Sequence, residues 1–226
     1  MMKKLPDIIP LFPLTGAILL PKGYLPLNIF EPRYIEMVEA AHDSDGIIGM
    51  IQPKGARISN TRDNNDLYGT AKRGRPIYKT GCAGLITKME TIGENQYLVI
   101  LNGISRFEIL EELPMVNSYR EARVSNANFS EDGNEKPLTD KKLKERYLSS
   151  LKKYFNRFNM DINPSDFSDI SDEEIINSMA MICPFDSAEK QLIIETSTLT
   201  DRAKLMIKII DFNLLQHDIA SEGNLH

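Results

Sequence analysis

The sequence predicts an α+β protein in which a β-rich N-terminal part with one helix is followed by a C-terminal bundle of about four helices. From Ile8 to about Val124 the chain consists of short β-type runs separated by Gly, Pro and Asn, and beyond Pro137 apolar residues recur at helical spacing. Many short strands with turns between them favour a barrel or a sandwich. We divide the chain into a β-rich subdomain at 1–125, a polar linker at 126–137 and a helical subdomain at 138–226.

Eight short runs are predicted strands. Two of them flank Asn102-Gly103, a dipeptide that tolerates positive φ, and we therefore expect a hairpin turn there. The predicted strands are Ile8–Phe12, Ile18–Leu20, Leu25–Phe30, Ile47–Ile51, Ala83–Thr91, Tyr97–Leu101, Arg106–Leu110 and Tyr119–Val124.

Helices are indicated by caps and by apolar stripes. Pro32 suits the first turn of a helix that ends near Asp43, because its missing N–H has no partner there in any case. Ser171-Asp172-Glu173-Glu174 fits a capping box, and Asp186-Ser187-Ala188-Glu189 is a looser version. Two stripes predict amphipathic helices: Leu143, Tyr147, Leu151, Tyr154, Phe155 and Phe158, and then Leu199, Ala203, Met206, Ile207, Ile210 and Leu214.

Composition excludes several classes of protein. A hydrophobic fraction of 42% and a charged fraction of 26% over 226 residues are ordinary for a globular protein. With a net charge of -5 the chain lacks the overall electrostatic footprint of a nucleic-acid binder, which leaves only a local basic patch for such contacts. Prolines at 6, 10 and 13 interrupt the apolar N-terminal stretch, and no run approaches the ~20 apolar residues of a membrane span. We expect a cytoplasmic protein that does not contact membranes.

Several segments together carry a family resemblance. They are Pro10–Leu14, Leu19–Pro21, Leu25–Tyr34, Gly81–Gly84, Gly103–Leu113, Met181–Asp186 and Thr198–Ala203. These segments resemble the N-terminal substrate-binding domain of the ATP-dependent Lon protease, and the later ones resemble its bacterial stand-alone members. Asn28 departs from the His of many relatives.

The resemblance implies a PUA-like pseudo-barrel followed by a helical bundle that binds unfolded or partly folded polypeptides. It also implies a role as an adaptor in protein quality control, alone or beside a separate protease. The ATPase and Ser–Lys peptidase regions of Lon do not follow in this sequence, so we expect no catalysis. The binding groove is expected in the β-rich part near the loop Pro53–Arg75, with main-chain pairing at a strand edge.

One basic segment is a candidate for nucleotide or RNA binding. Gly69–Pro76 has the glycine spacing of a phosphate-binding loop, but Arg75-Pro76 replaces its Lys-Ser/Thr. Lys72, Arg73, Arg75 and Lys79 form a basic cluster that gives the alternative hypothesis of an RNA-binding PUA-like protein. Few aromatic residues accompany the cluster, which favours an ordinary solvated loop.

The remaining reactive residues have structural explanations, so no catalytic, metal or cofactor site is expected. His42, Asp43 and Asp45 suit a helix end and a turn, and they supply too few ligands for a metal. Cys82 and Cys183 are far apart among small or apolar residues, as expected of buried thiols. The pairs Glu111-Glu112 and Glu173-Glu174 suit exposed strand ends and a helix first turn.

The family signature Phe30-Glu31-Pro32-Arg33-Tyr34 has two readings. In the structural reading, Phe30 ends a strand, Pro32 begins a helix, and Glu31 and Arg33 join the two through charge-assisted hydrogen bonds. In the functional reading, the segment lines a peptide groove. We favour the structural reading, because each residue has a local geometric role.

Overall fold

The structure is a computed structural model that describes residues 5–55, 74–134, 137–160 and 169–223, with side chains as far as 216. Six strands and five helices lie within these ranges. The strands are β1 (Ile8–Pro13), β2 (Tyr24–Ile29), β3 (Ile47–Ile51), β4 (Thr80–Gly93), β5 (Gln96–Glu112) and β6 (Arg120–Ser125). The helices are α1 (Pro32–His42), α2 (Lys141–Arg157), α3 (Asp172–Ile182), α4 (Ser187–Glu195) and α5 (Leu199–Gly223).

Five of the six strands close into a ring, as the predicted barrel requires. The strand order is β2-β5-β4-β3-β1-β6, and β5 also pairs with β6. The 17-residue β5 makes this closure possible, because its first part pairs with β2 and its last part with β6. β1 and β3 are parallel and the other pairs are antiparallel. β2 stays outside the ring, attached to β5.

Two apolar cores result from this arrangement. The smaller fills the barrel and includes Leu11, Phe107 and Ala122. The larger lies between the outside of the barrel, α1 and the C-terminal helices, where residues of both halves, such as Leu101 and Leu151, belong to one cluster. The β-rich and helical parts therefore share a core. The division into subdomains at 125 and 138 stays a prediction.

The predicted hairpin at Asn102-Gly103 is wrong. Both residues lie inside β5, and the β4–β5 turn is at Glu94-Asn95, where Asn95 has a φ of 55°. Gly103 serves close packing instead, because Lys22 N–H donates to its carbonyl at 2.8 Å and a Cβ would overlap the carbonyl oxygen of Leu20. Tyr97–Leu101 and Arg106–Leu110 are accordingly parts of one strand.

The predicted strand Ile18–Leu20 is also wrong. These residues adopt no regular secondary structure, although all three are buried in the larger core. The segment crosses close to Gly103 of β5, and its apolar composition reflects this burial and not a place in the sheet.

The helix predictions are confirmed. Pro32 occupies the first turn of α1. Both capping boxes form, at Ser171 with Glu174 and at Asp186 with Glu189. The buried residues of α2 are those of its predicted stripe with Ser150, and Leu143 and Phe158 are half-buried at its ends.

The predicted linker contributes a buried charge. Its residues 127–129 form a 3₁₀ turn, and Asp132 is fully buried against Arg106 of β5, with Nη2 and Oδ1 2.6 Å apart. The guanidinium lies over the ring of Phe129 and donates to the carbonyl oxygens of Ile194 and Thr196 at the end of α4. Arg106 thus joins the barrel, the connecting segment and the helical bundle.

Further polar contacts cross between the two halves. Buried Asn177 donates to the carbonyl oxygen of Pro21 at 2.9 Å and accepts from Arg202 at 2.6 Å. Lys22 and buried Glu173 form an ion pair of 2.7 Å.

Three more side chains donate hydrogen bonds to backbone carbonyls across the junction between the two halves. They are Gln52 to Ser187, Gln191 to Thr80 and Lys190 to Gly16.

Replacing Gly103 tests the close approach of the Leu20 segment. Gly103→Ala should lower the free energy of unfolding by about 3 kcal/mol, because the new methyl group overlaps backbone that cannot turn aside. Gly93→Ala is the matched control, since its Cβ would meet only Gln96 at 3.5 Å. Urea denaturation measures both, and equal small losses would contradict the packing role.

Removing Asp132 tests the buried ion pair. Asp132→Ala should cost about 3–5 kcal/mol in denaturant unfolding, because the Arg106 charge stays buried without its carboxylate. The control Asp211→Ala removes an exposed ion pair with Arg146. Its effect on the free energy of unfolding should be small, because solvent screens the two charges. Similar losses for the two variants would show that the buried pair does not hold the halves together.

Candidate functional site

The outer side of β2 exposes apolar side chains. Leu27 and Ile29 point into the larger core, and the alternate residues Tyr24, Pro26 and Asn28 are exposed. Tyr24 is 66% exposed, which is unusual for an aromatic side chain in a strand.

The same face continues across β5. In the β2–β5 register, Pro26 is opposite Ile100 and Asn28 is opposite Leu98, and both partners are half-buried. Their neighbours Val99 and Leu101 are fully buried on the other side. We call Tyr24, Pro26, Leu98 and Ile100 the outer face.

The next strand gives the outer face a polar border. In β4, Lys88 is opposite Ile100 and Glu90 is opposite Leu98. Both are exposed and form an ion pair of 2.9 Å. The face is therefore an apolar strip with a balanced charge pair along one side.

The other side of the outer face is a strand edge. Among the described residues β2 pairs only with β5. Pro26 lies in the middle of this edge and has no N–H, so an added strand would find donors on either side of it but not at it. Side-chain burial is the larger contribution that this edge can offer a partner.

The signature residues make local contacts at the junction of β2 and α1. Arg33 donates to Glu31 Oε2 from Nε and Nη2 at 3.0 and 2.8 Å. Tyr34 packs edge-on against Phe12 with ring centroids 4.4 Å apart, and burial raises the pKa of its phenol. Phe30 follows the last residue of β2 and is 60% exposed. The choice between the structural and peptide-lining readings stays a prediction.

The predicted groove and the predicted basic cluster fall largely outside the residues that the structure describes. Residues 56–73, including Lys72 and Arg73, are outside the described part of the chain. Arg75 and Lys79 are exposed just before β4, and Arg120 donates to the carbonyl oxygen of Arg75 at 2.7 Å. An RNA contact there and a groove beside Pro53–Arg75 stay predictions.

A cleft on the helical bundle was missed by sequence reasoning. It has a volume of about 520 Å³ and lies between α2, α4 and α5. The first helical stripe assigns Tyr154 and Phe158 to the core, and Phe212 lies outside the second stripe, so neither pattern indicates that these three rings meet at an opening. Its lining residues are Tyr154, Phe158, Pro184, Asp186, Glu189, Phe212, Asn213 and Gln216.

The reactive residues have ordinary structural surroundings. Cys82 and Cys183 are fully buried in the larger core, as predicted. Burial raises the pKa of the Cys183 thiol to about 12 and also raises the pKa of Cys82. Glu173 lies in the first turn of α3, as predicted, and is buried there. Within the described ranges, no three His, Cys, Asp or Glu side chains come together as metal ligands, and none of the helices could cross a bilayer.

Comparison with known proteins relates this chain to Lon proteases. Residues 8–211 match the family model of the ATP-dependent protease La (LON) substrate-binding domain. Lon protease 2 of Myxococcus xanthus is 24% identical over 217 residues, which cover 92% of this chain and 24% of the relative. Lon protease of Anaeromyxobacter dehalogenans is 23% identical over 214 residues, with 92% and 23% covered. The chain thus spans about a quarter of the length of these relatives.

Two solved structures have the same fold. The N-terminal domain of Mycobacterium avium complex Lon protease superposes with a TM-score of 0.62 at 16% identity, over 90% of this chain and 98% of that one. The Lon N-terminal domain protein from Xanthomonas campestris gives a TM-score of 0.60 at 15% identity, over 89% and 97%.

Thiol labelling tests the assignment of both cysteines to the core. At pH 8 the folded protein should react with Ellman's reagent more than about a hundredfold more slowly than free cysteine, because the raised pKa leaves little thiolate and burial blocks access. Both thiols should react at once in denaturant. Rapid labelling of one thiol in the folded protein would contradict its burial.

Proposed function

Because this chain belongs to the family of LON substrate-binding domains, we propose that it binds unfolded or partly folded polypeptides and performs no bond chemistry. Its role would be that of an adaptor in protein quality control, delivering bound chains to a protease or holding them by itself. The observation that carries the proposal is the outer face, an apolar strip beside an open strand edge.

The outer face suits an extended, apolar partner. Tyr24 and Pro26 are exposed and Leu98 and Ile100 are half-covered, so a bound segment would remove apolar surface from water at about 25 cal/mol per Å². The face is built on two strands with a buried underside, so its shape is fixed before binding. The partner alone loses conformational entropy, which keeps the affinity of a single site weak.

Main-chain contacts would add direction to this binding. An extended segment beside β2 would align its own alternating side chains with those of the outer face. Pro26 prevents a continuous ladder of hydrogen bonds at this edge. Such an arrangement tolerates many sequences, because it depends on apolar side chains more than on a fixed pattern of donors.

The absence of chemistry is supported by the state of the thiols. Burial raises the pKa of each thiol, which opposes the thiolate form that a nucleophile requires. The matched family model describes a substrate-binding domain and no catalytic one. Turnover of a peptide or ester that disappears in a single Ser or Cys variant would contradict this part of the proposal.

Binding of a permanently unfolded protein tests the function and the site together. The wild-type chain should bind a fluorescent, reduced and carboxymethylated protein, and Tyr24→Ser should raise the Kd about tenfold, because about 1.4 kcal/mol of apolar contact is lost. Fluorescence anisotropy measures both.

Leu110→Ser is the control, since Leu110 is 62% exposed on the far part of β5. It should leave the Kd unchanged. Failure of the wild-type chain to bind would overturn the function, and a Tyr24→Ser variant that binds like wild type would overturn the site.

A further inference from the structure

We propose that the cleft between α2, α4 and α5 is a second binding site that accepts a lysine or arginine side chain within an apolar polypeptide segment. This goes beyond binding at the outer face, because it assigns a separate site in the helical half with a preference for positive charge. Three features of the cleft favour such an occupant: exposed aromatic surface, two carboxylates held by a capping box, and lining residues that include no Lys or Arg.

Aromatic rings line part of the cleft. Phe212 of α5 is 55% exposed, and Phe158, the residue after α2, is half-buried and packs against the buried ring of Tyr154 with centroids 4.4 Å apart at 37°. Ring faces attract a cation by about 0.5–1 kcal/mol at exposed sites, and they also pack against the methylene stem of Lys or Arg.

Two carboxylates also line the cleft and are held in place. Asp186 Oδ1 accepts from the backbone N–H of Glu189 at 2.7 Å, and Glu189 Oε2 accepts from that of Asp186 at 2.8 Å. Asn213 donates to the other oxygen of Glu189 at 3.3 Å. The capping box therefore fixes both negative groups at the cleft before any partner arrives.

Partial burial gives Glu189 a reason to bind a cation, and the exposed Asp186 adds a second negative charge beside it. Desolvation raises the pKa of Glu189, which means that its charge is poorly hydrated at this position. The neighbouring Lys190 of α4 donates to the carbonyl oxygens of Gly16 and Met181 on the other side of the helix. A cation from a partner would supply the missing interaction.

The volume and charge of the cleft select its occupant. About 520 Å³ accommodates a few side chains, within the usual range of ligand sites. A segment in which Arg or Lys lies between apolar residues matches both the aromatic and the acidic residues of the lining, and the same segment with Glu in place of Arg would be repelled. The occupant is therefore a stretch of polypeptide in which a basic residue lies between apolar residues.

Two labelled peptides test the charge preference. The probe is a short Gly/Ser peptide with Leu-Arg-Leu at its centre, and the comparison peptide has Leu-Glu-Leu. The Arg peptide should bind at least about fivefold more tightly at low salt and lose this advantage at 1 M salt. Equal affinities at low salt would overturn the proposal.

The matched variant is Asp186→Asn with Glu189→Gln, which keeps both caps and removes both charges. It should weaken Arg-peptide binding about fivefold. Glu174→Gln removes the one charged member of the equivalent capping box of α3, outside the cleft lining, and should have no effect. Equal effects of the two variants would overturn the proposal.

Aromatic contacts are tested separately. Phe212→Ala should weaken Arg-peptide binding about threefold or more, and Leu192→Ala, at an equally exposed site on α4 outside the cleft, should not. Tyr24→Ser should also leave this peptide's affinity unchanged. Loss of Arg-peptide binding in Tyr24→Ser, with Phe212→Ala unaffected, would assign the peptide to the outer face and overturn the second site.

Discussion

Arg106 and Asp132 place opposite charges, 1% and 0% exposed, where the barrel, the connecting segment and the helical bundle meet. Two buried ions are costly unless each has its partners, and here the guanidinium is bound by the carboxylate, by two backbone carbonyls of α4 and its end, and by the ring of Phe129. All of these contacts form only when the two halves dock in one orientation. The shared apolar core then stabilises the orientation that the ion pair specifies, because it buries apolar surface of both halves.

Barrel closure and the outer face have a common origin in β5. This strand of 17 residues pairs with β4 along most of its length, with β2 along its first part and with β6 along its last part. Closing the ring with β6 leaves β2 outside it, with one edge that pairs with none of the described strands and one face exposed to water. The helical bundle and α1 cover the opposite face of β2 and β5. The proposed binding surface and the stabilising core thus lie on opposite sides of the same two strands.

Sequence reasoning succeeded where a local pattern determines the structure. The capping boxes at Ser171 and Asp186 and the stripe of α2 depend on neighbouring residues alone. It failed at Gly103, because a glycine required by an approaching chain has the same letter as a glycine required by a turn. The Arg106–Asp132 pair was also missed, since a polar segment that buries one carboxylate looks like a linker.

The candidate site shows the same limit. Leu25–Phe30 was predicted as a strand, but its place at an open edge depends on the partners of β5, which are distant in sequence. The groove expected beside Pro53–Arg75 involves residues outside the described ranges. The cleft in the helical half depends on three helices meeting, and no single periodic pattern indicates such an opening.

The most direct test of polypeptide recognition by the outer face is backbone amide NMR of the isotope-labelled chain during titration with an unlabelled unfolded protein. Chemical-shift changes should concentrate at Tyr24, Leu98 and Ile100 and their neighbours in β2 and β5, while the amides of the barrel interior stay in place. A titration that moves no amide of β2, or that moves only amides far from it, would contradict the account.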